Sequence, residues 1–123
     1  MKIYWAAPLF TDTERRYNEV CVSGLERAGF CVYLPQRDAG LKSSGISCEV
    51  IYEKDVEALI ESDAIIAVLH GNDEGTLFEV GYMAASEKPI FLIGHTDNCM
   101  FCKAKQFDTF YQCLDYLSGN KGK

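Results

Sequence analysis

The sequence predicts a single α/β domain built on a three-layer, doubly wound parallel sheet of about five strands, roughly of the flavodoxin type. Two observations carry this prediction. Short apolar segments typical of strands alternate with amphipathic segments typical of helices, and residues 64–69 form a continuously apolar run typical of a central parallel strand. Such alternation implies right-handed crossovers, so helices should cover both faces of the sheet.

The predicted strands are apolar segments bounded by residues that interrupt regular structure. Pro8 ends the first, Pro35 ends the second, and Pro89 precedes the fourth. In chain order, the strands are predicted over residues 2–7, 30–34, 64–69 and 90–93, with a short fifth strand near residue 106.

The predicted helices start at capping residues or carry apolar side chains along one face. Thr11 and Glu14 have the spacing of a capping box, and the helix that they begin should end near Ala28, before Gly29. In chain order, the helices are predicted over residues 11–28, 48–62, 76–86 and 109–117. The polar stretch between the second strand and the second helix, residues 36–47, is predicted to be the longest loop.

Composition and charge bound the class of protein. With 48% hydrophobic and 12% aromatic residues, the chain can bury one core, and we predict one domain over residues 1–117 and a flexible tail over residues 118–123. A net charge of −6 argues against a nucleic-acid polymer as partner. The sequence has neither a signal peptide nor the roughly 18 consecutive apolar residues that span a membrane, so we expect no membrane partner and a cytoplasmic location.

The six cysteines are expected to be reduced and mostly buried thiols, because no secretory signal supports a disulfide scaffold. Three residues near the fourth strand, His95, Cys99 and Cys102, are possible zinc ligands. A tetrahedral site needs a fourth ligand, and no second closely spaced pair supplies it. We therefore expect no metal.

Glu79 is the residue most suited to chemistry. Ligands of doubly wound folds bind beyond the carboxyl ends of the strands, and residues 70–75 form a turn at that edge, followed by the helix that carries Glu79. If Glu79 lies in the first helical turn, free amides and the helix dipole should keep its carboxylate ionised and available as a nucleophile. The alternative is a glutamate that only caps its helix.

Other polar residues are expected near the same edge. Tyr4 lies on the first strand, where its phenol could donate a hydrogen bond that orients Glu79, although an ordinary strand tyrosine is the simpler interpretation. Asp55 has the surroundings of a solvated surface charge, and Asp73 has those of a turn residue. Considered singly, the two aspartates therefore indicate no chemistry.

Taken together, these residues resemble the nucleoside 2-deoxyribosyltransferases, a flavodoxin-like family related to nucleotide N-glycosidases. The likeness covers most of the chain. It includes an opening Ile-Tyr, an Ala-Pro-Leu-Phe-Thr-Asp segment before the first helix, and Asp55 eight residues before Asp63. The most specific piece is Asp-x-Gly-Thr-x-Phe-Glu-x-Gly-Tyr, which starts at Asp73 and is followed by Lys88-Pro89.

The resemblance implies a role for each matching residue. Glu79 corresponds to the family's nucleophile, and Tyr4 to the tyrosine that positions it. Asp55 and Asp73 match the two aspartates that hold and protonate the base, and Phe10 matches an aromatic contact to the nucleoside. The family's chemistry needs neither a metal nor a cofactor.

The resemblance also implies an assembly. Asn98 and Met100 look like a shortened form of an Asn-x-Met segment through which a neighbouring subunit contacts the sugar. A homo-oligomer, a dimer or larger, with sites completed across the interface, is therefore expected. The expected small-molecule partners are a deoxynucleoside and a free nucleobase.

Three functions remain open at this point. The first is transfer of 2-deoxyribose between bases by retaining double displacement through a glycosyl-enzyme on Glu79. The second is an N-glycosidase that hydrolyses nucleosides or their 5'-monophosphates; free nucleosides are favoured because the loop over residues 6–13 is not rich in glycine and arginine, although Arg15 and Arg16 follow it. The third is a non-catalytic sensor of a nucleotide-like ligand. Residues 36–38 and the loop after them are expected to select the base.

Overall fold

The computed structural model describes residues 1–120, and they form one five-stranded sheet with helices on both faces. The strands are β1 Lys2–Ala6, β2 Cys31–Tyr33, β3 Ala64–Val68, β4 Ile90–Ile93 and β5 Lys105–Phe107. The α-helices are α1 Asp12–Arg27, α2 Pro35–Asp38, α3 Cys48–Glu61, α4 Glu74–Ala85 and α5 Phe110–Asp115. Short 3₁₀ turns span Lys42–Ser44 and Cys99–Phe101, and a last turn spans Tyr116–Asn120.

The sheet has the strand order β2-β1-β3-β4-β5, and all of its strand pairings are parallel. This is the flavodoxin-like order, so the predicted fold class is confirmed. After β1 the chain adds β2 along one edge of β1 and then β3 along its other edge. The strand order therefore reverses between β1 and β3, and the carboxyl ends of these two strands form the topological switch point. Ligand-binding crevices of such folds open there.

Alternating side chains of β1 enter two different cores. Ile3 and Trp5 pack with residues of α1 and α5, whereas Tyr4 and Ala6 pack with residues of α3 and α4. Since successive side chains of a strand point to opposite faces, this alternation assigns each face of the sheet to one helix pair. It places the Tyr4 phenol on the side of the sheet that holds α4.

The junction between β1 and α1 is held by the predicted capping box and by a buried amide. Thr11 Oγ1 accepts from the Glu14 amide at 3.1 Å, and Glu14 Oε1 accepts from the Thr11 amide at 3.0 Å. Asn18 accepts from Trp5 Nε1 and donates to the carbonyl of Pro8, both at 3.0 Å. The loop that carries Phe10 is therefore fixed at both ends.

Most predicted strands and helices begin and end within one or two residues of the observed ones, and two of the differences have a clear physical cause. The predicted loop over residues 36–47 contains helix α2 and the first 3₁₀ turn, because Pro35 suits a first helical turn and Asp38 accepts from the Leu34 amide at 2.8 Å. Helix α4 begins at Glu74, before the predicted residue 76, because Asp73 caps it. Residues 121–123 of the predicted tail lie outside the described residues, so a flexible tail stays a prediction.

The expectation that the thiols are mostly buried is wrong. All six cysteines are free, but only Cys21 and Cys113 are buried. The exposed ones are Cys31 on an edge strand, Cys48 at the start of α3, and Cys99 and Cys102 at a surface turn. Within residues 1–120, no three His, Cys, Asp or Glu side chains are grouped to hold a metal, and no helix is long and apolar enough to cross a membrane.

Candidate active site

The turn between β3 and α4 sets the position of the site. Gly71 and Asn72 both adopt left-handed backbone conformations, with φ of 64° and 54°, which glycine and asparagine tolerate better than other residues. Asp73 then caps α4, as its Oδ2 accepts from the amide of Thr76 at 3.0 Å and from the Thr76 hydroxyl at 2.7 Å. This geometry starts α4 at the carboxyl edge of the sheet, beside the switch point.

The hydrogen bond predicted between Tyr4 and Glu79 is present. The Tyr4 hydroxyl donates to Glu79 Oε2 across 75 positions of sequence. Tyr4 is fully buried and Glu79 is half-buried in the second turn of α4. The phenol therefore holds one carboxyl oxygen in a fixed direction and leaves the other oxygen available to a ligand.

A second tyrosine, which the sequence analysis missed, extends this arrangement. Tyr33 stacks on Tyr4 with ring centroids 5.2 Å apart, and its hydroxyl donates to Asp55 Oδ1 at 2.9 Å. Tyr33 is the register partner of Tyr4 on β2, so both side chains lie on the same face of the sheet. The sequence carries one signal for this role of Tyr33: the first two predicted strands each contain a tyrosine, Tyr4 and Tyr33, at equivalent places. Asp55 is thus half-buried and partnered, and the interpretation as a solvated surface charge is wrong.

Glu79 does not lie in the first turn of α4, which was the condition for the expectation that free amides and the helix dipole keep it ionised. The pKa of Glu79 is raised to about 8, chiefly by burial; the nearby carboxylates of Asp55 and Asp73 add to the rise, and the Tyr4 hydrogen bond opposes it. Glu79 lies past the first turn of α4, where the amides are already bonded within the helix, so the dipole has little effect. Burial therefore favours the protonated form of Glu79 over its ionised form.

Burial also changes the pKa values of the Tyr4 hydroxyl and the Asp55 carboxyl. Burial and the neighbouring carboxylates raise the pKa of Tyr4 far above its ordinary value, so this phenol stays a neutral donor. Burial raises the pKa of Asp55, and the hydrogen bond from Tyr33 opposes this. Asp55 is therefore better able to carry a proton at neutral pH than an exposed aspartate.

Two adjoining cavities open beside the cap of α4. One, of about 510 Å³, is lined by Phe10 and Asp73, and the other, of about 310 Å³, by Asp73, Asn98 and Phe101. The wall of both includes the turn over residues 71–73. Phe10 is 72% exposed, so its ring is accessible to a ligand in the cavity that it lines. Met100 is 84% exposed and lines neither cavity.

The chemical site is better located by its carboxyls than by cavity volume. Glu79, Tyr4 and Asp55 do not line the cavities described above, and a further cavity of about 400 Å³ lies against α1 on the opposite face of the sheet. That cavity contains none of the predicted site residues. A carboxyl whose pKa is raised by burial and by adjacent charges is the stronger mark of function.

The arginines near the site are engaged elsewhere. Arg15 donates to the carbonyl of Leu9 at 3.0 Å and pairs with Asp12, and Arg37 pairs with Glu26 and Asp38. Together with Arg16 they border a separate cavity. Within the described residues, no lysine or arginine lines the other three cavities.

Residues 36–38, expected to select the base, make contacts within the chain. Gln36 donates to the carbonyl of Arg15 at 2.9 Å and accepts from Asn18 at 3.0 Å, and Asp38 accepts from the Leu34 amide. These contacts hold α2 against α1. The part played by residues 36–38 in base selection stays a prediction.

Fold and site together define a flavodoxin-like α/β protein with a cluster of carboxyls, of the kind that glycoside-cleaving enzymes use for nucleophilic and acid catalysis. The family comparison agrees with this class. The sequence model of the nucleoside 2-deoxyribosyltransferases matches residues 3–114, and the chain belongs to this family of enzymes. A comparison with curated proteins finds no match.

Solved structures show the same fold at low sequence identity. A 2-deoxyribosyltransferase from Bacillus psychrosaccharolyticus is similar with a TM-score of 0.79 and 22% identity, over 94% of this chain and 92% of that one. A conserved protein from Enterococcus faecalis V583 has a TM-score of 0.78 and 22% identity, with 98% of each chain covered. A CMP N-glycosidase from Clostridium botulinum has a TM-score of 0.67 and 19% identity, over 98% of this chain and 99% of that one.

Proposed function

We propose that the protein transfers 2-deoxyribose between nucleobases through a glycosyl ester on Glu79. The observation that carries this proposal is the half-buried carboxyl of Glu79, oriented by the Tyr4 hydroxyl and flanked by Asp55 and Asp73. Displacement of a base from C1' builds positive charge on the sugar, which an adjacent carboxylate stabilises. Family membership supports the same bond as the target.

The proposed reaction has two displacements. The ionised Glu79 oxygen attacks C1' as the bond to the base nitrogen breaks, and the leaving nitrogen takes a proton from Asp55, whose pKa is raised by burial. An incoming base then attacks C1', the ester bond breaks, and the nitrogen proton of that base returns to Asp55. Asp73 holds the base. Because each step inverts C1', the product retains the original configuration.

Free nucleosides fit the site better than 5'-monophosphates. A phosphate site normally presents arginine, lysine or a glycine-rich loop, and among residues 1–120 no lysine or arginine lines the cavities beside Asp73. Hydrolysis is the alternative outcome at the same carboxyl, when water replaces the second base. The likeness to a CMP N-glycosidase keeps a nucleotide substrate as the second candidate.

The proposed assembly is a homo-oligomer in which the Asn98–Met100 segment reaches the sugar of a neighbouring subunit. Met100 is almost fully exposed on a 3₁₀ turn, where an unpaired chain leaves a large apolar side chain in water. Asn98 borders the cavity of its own chain, so its place in the proposed oligomer needs a test that distinguishes the two subunits.

The proposal is tested by incubating the protein with deoxyinosine and adenine and separating the products by chromatography. Deoxyadenosine is expected, and the Glu79→Gln variant should lose at least about a thousandfold in rate, as expected when a nucleophile is removed. Glu57→Gln, an exposed glutamate on α3, is the matched control. A slow fluorinated sugar substrate should label Glu79, as detected by mass spectrometry.

Each alternative gives a different product. Hypoxanthine without deoxyadenosine would indicate a hydrolase, and faster cleavage of deoxyinosine 5'-monophosphate would indicate a nucleotide substrate. If wild type changes neither substrate, the result would favour a non-catalytic sensor. Full activity of Glu79→Gln, or a label on another residue, would contradict the proposed mechanism.

A further inference from the structure

Two exposed thiols lie on one turn of helix at the edge of the proposed site. Cys99 begins the 3₁₀ turn Cys99–Phe101, and Cys102 is the residue that caps its C-terminal end. Both are free and exposed, and the Cys102 amide donates to the carbonyl of Cys99 at 3.1 Å. Cys102 keeps helical dihedrals, with φ of −64° and ψ of −21°, so the turn geometry extends across both residues.

This geometry suits a disulfide. In a 3₁₀ helix, residues three apart are eclipsed, and the rise of about 2 Å per residue separates their Cα atoms by roughly 6 Å. That separation lies within the range of about 4.4–6.8 Å that disulfides need. We propose that Cys99 and Cys102 form a reversible disulfide, a redox-sensitive site on the segment that borders the proposed active site.

The chemistry is thiol–disulfide exchange with a low-molecular-weight disulfide such as oxidised glutathione. One cysteine thiolate attacks a sulfur of glutathione disulfide, forming a mixed disulfide and releasing one glutathione thiolate. The second cysteine thiolate then attacks the protein sulfur of the mixed disulfide and releases the other glutathione thiolate. The two cysteines are oxidised, one glutathione disulfide is reduced to two thiols, and the two cysteine protons pass to solvent.

The disulfide would hold the turn in the conformation described here. In the reduced chain, the turn depends on the Asn98 side chain, which accepts from the Met100 amide at 2.9 Å, and on the Phe101 amide, which donates to the Asn98 carbonyl at 3.0 Å. A bond between the cysteine sulfurs closes a covalent ring across Met100 and Phe101. Oxidation therefore restrains the backbone on which the Asn98 side chain is placed.

A functional consequence follows, and it rests on the proposed function. A restrained turn presents Asn98 with less loss of conformational freedom, whether the nucleoside lies in the cavity that Asn98 shares with Asp73 or in the site of a neighbouring subunit. The oxidised enzyme is expected to have a roughly two- to fivefold lower KM with little change in kcat, as preorganisation reduces the cost of binding.

The first measurement counts thiols and needs no substrate. The full-length protein is incubated with oxidised glutathione, its free thiols are alkylated, and the products are identified by intact mass and peptide mapping. Wild type should lose two alkylatable thiols and yield an internal Cys99–Cys102 link. The Cys31→Ser/Cys48→Ser variant removes the other exposed thiols and should behave in the same way. Cys99→Ser/Cys102→Ser should form no internal disulfide among its four remaining thiols, Cys21, Cys31, Cys48 and Cys113.

The second measurement follows hydrogen exchange of the turn. Exchange of the Phe101 and Cys102 amides should slow at least severalfold in the oxidised form and return to its initial rate with a dithiol reductant. Stable glutathione adducts on both cysteines, or a link from either one to another element or another chain, would overturn the proposal. An unchanged KM in a protein with the mapped link would overturn only the functional consequence, and absence of any turnover would count against the proposed function alone.

Discussion

At the scale of single residues, the protonation of Glu79 is decided by burial rather than by the helix dipole. Burial, with Asp55 and Asp73 nearby, raises its pKa to about 8, against an ordinary value of 4.5. The dipole of a helix acts within its first turn, and Glu79 lies beyond it. The proposed mechanism needs the ionised form of Glu79. The Tyr4 hydrogen bond and the positive charge that develops on the sugar both favour that form.

The first residue-scale prediction concerns Tyr4. Its hydrogen bond lowers the pKa of Glu79, so Tyr4→Phe should raise that pKa. Activity that needs ionised Glu79 is lost as the pH falls through this pKa, so the acid limb of kcat/KM should move to higher pH. At pH 7 kcat/KM should fall roughly 10- to 100-fold, because a smaller fraction of Glu79 is then ionised. The measurement is the pH profile of kcat/KM for deoxyribose transfer.

Two further variants control this prediction. Tyr33→Phe leaves the bond between Tyr4 and Glu79 in place and should leave the acid limb within about half a pH unit of wild type, because Tyr33 contacts Asp55 instead. Asp55→Asn removes a negative charge that raises the pKa of Glu79, so any residual activity should show the limb at lower pH. An acid limb that stays in place in Tyr4→Phe would contradict the assigned role of Tyr4.

At the scale of elements, the start of α4 combines a structural role with a proposed chemical one. Asp73 caps the helix through two hydrogen bonds from Thr76, and the same aspartate is proposed to hold the base. The cap needs only an acceptor oxygen, whereas the proposed chemistry needs a carboxylate. The two roles can therefore be separated by substitution.

The element-scale prediction compares Asp73→Ala with Asp73→Asn. Asp73→Ala removes the cap and should lower the free energy of unfolding by about 1 kcal/mol. Asp73→Asn keeps an acceptor oxygen and should stay within about 0.5 kcal/mol of wild type, since asparagine caps as well as aspartate. Both variants should lose at least about tenfold in kcat/KM. Urea unfolding and the transfer assay measure the two effects.

Thr109 supplies the matched control for capping. Its hydroxyl accepts from the Gln112 amide at 3.2 Å at the start of α5, which packs on the face of the sheet opposite α4. Thr109→Ala should lose a similar free energy of unfolding and retain its activity. Full activity in Asp73→Asn would reduce Asp73 to a helix cap.

At the scale of the whole molecule, the proposed oligomer predicts that two inactive variants restore each other. Suppose that the site takes Glu79 from one subunit and Asn98 from its neighbour. A mixed dimer of Glu79→Ala and Asn98→Ala then has one site with both residues intact. Random pairing in a two-fold symmetric dimer should restore about a quarter of the wild-type activity. The measurement is transfer activity after subunits are mixed under mild dissociating conditions.

The outcome of the mixing experiment also locates Asn98. If Asn98 serves the cavity of its own chain, every mixed dimer lacks one essential residue in each site, and no activity returns. Native mass spectrometry, which detects mixed dimers directly, makes that result informative. A monomer at assay concentration would contradict the proposed assembly.

Much of the fold could be predicted from local sequence. The strand over residues 90–93 matches β4, and the Thr11–Glu14 capping box begins α1 as predicted. These elements depend on residues close in sequence, namely an apolar run after a proline and a side chain that binds an amide one turn away. The helical content of residues 36–47 was missed because the glycines and serines there suit turns as well as short helices.

The sequence by itself determined the order of elements, the parallel sheet and the family, and it predicted which carboxyls form the proposed site. Only the tertiary structure decided that Tyr33 supports Asp55, that burial raises the pKa of Glu79, and that Cys99 and Cys102 stand exposed on one turn. Element order follows from local periodicity. Burial and hydrogen-bond partners depend on which distant segments meet, as Tyr4 and Glu79 do across 75 positions.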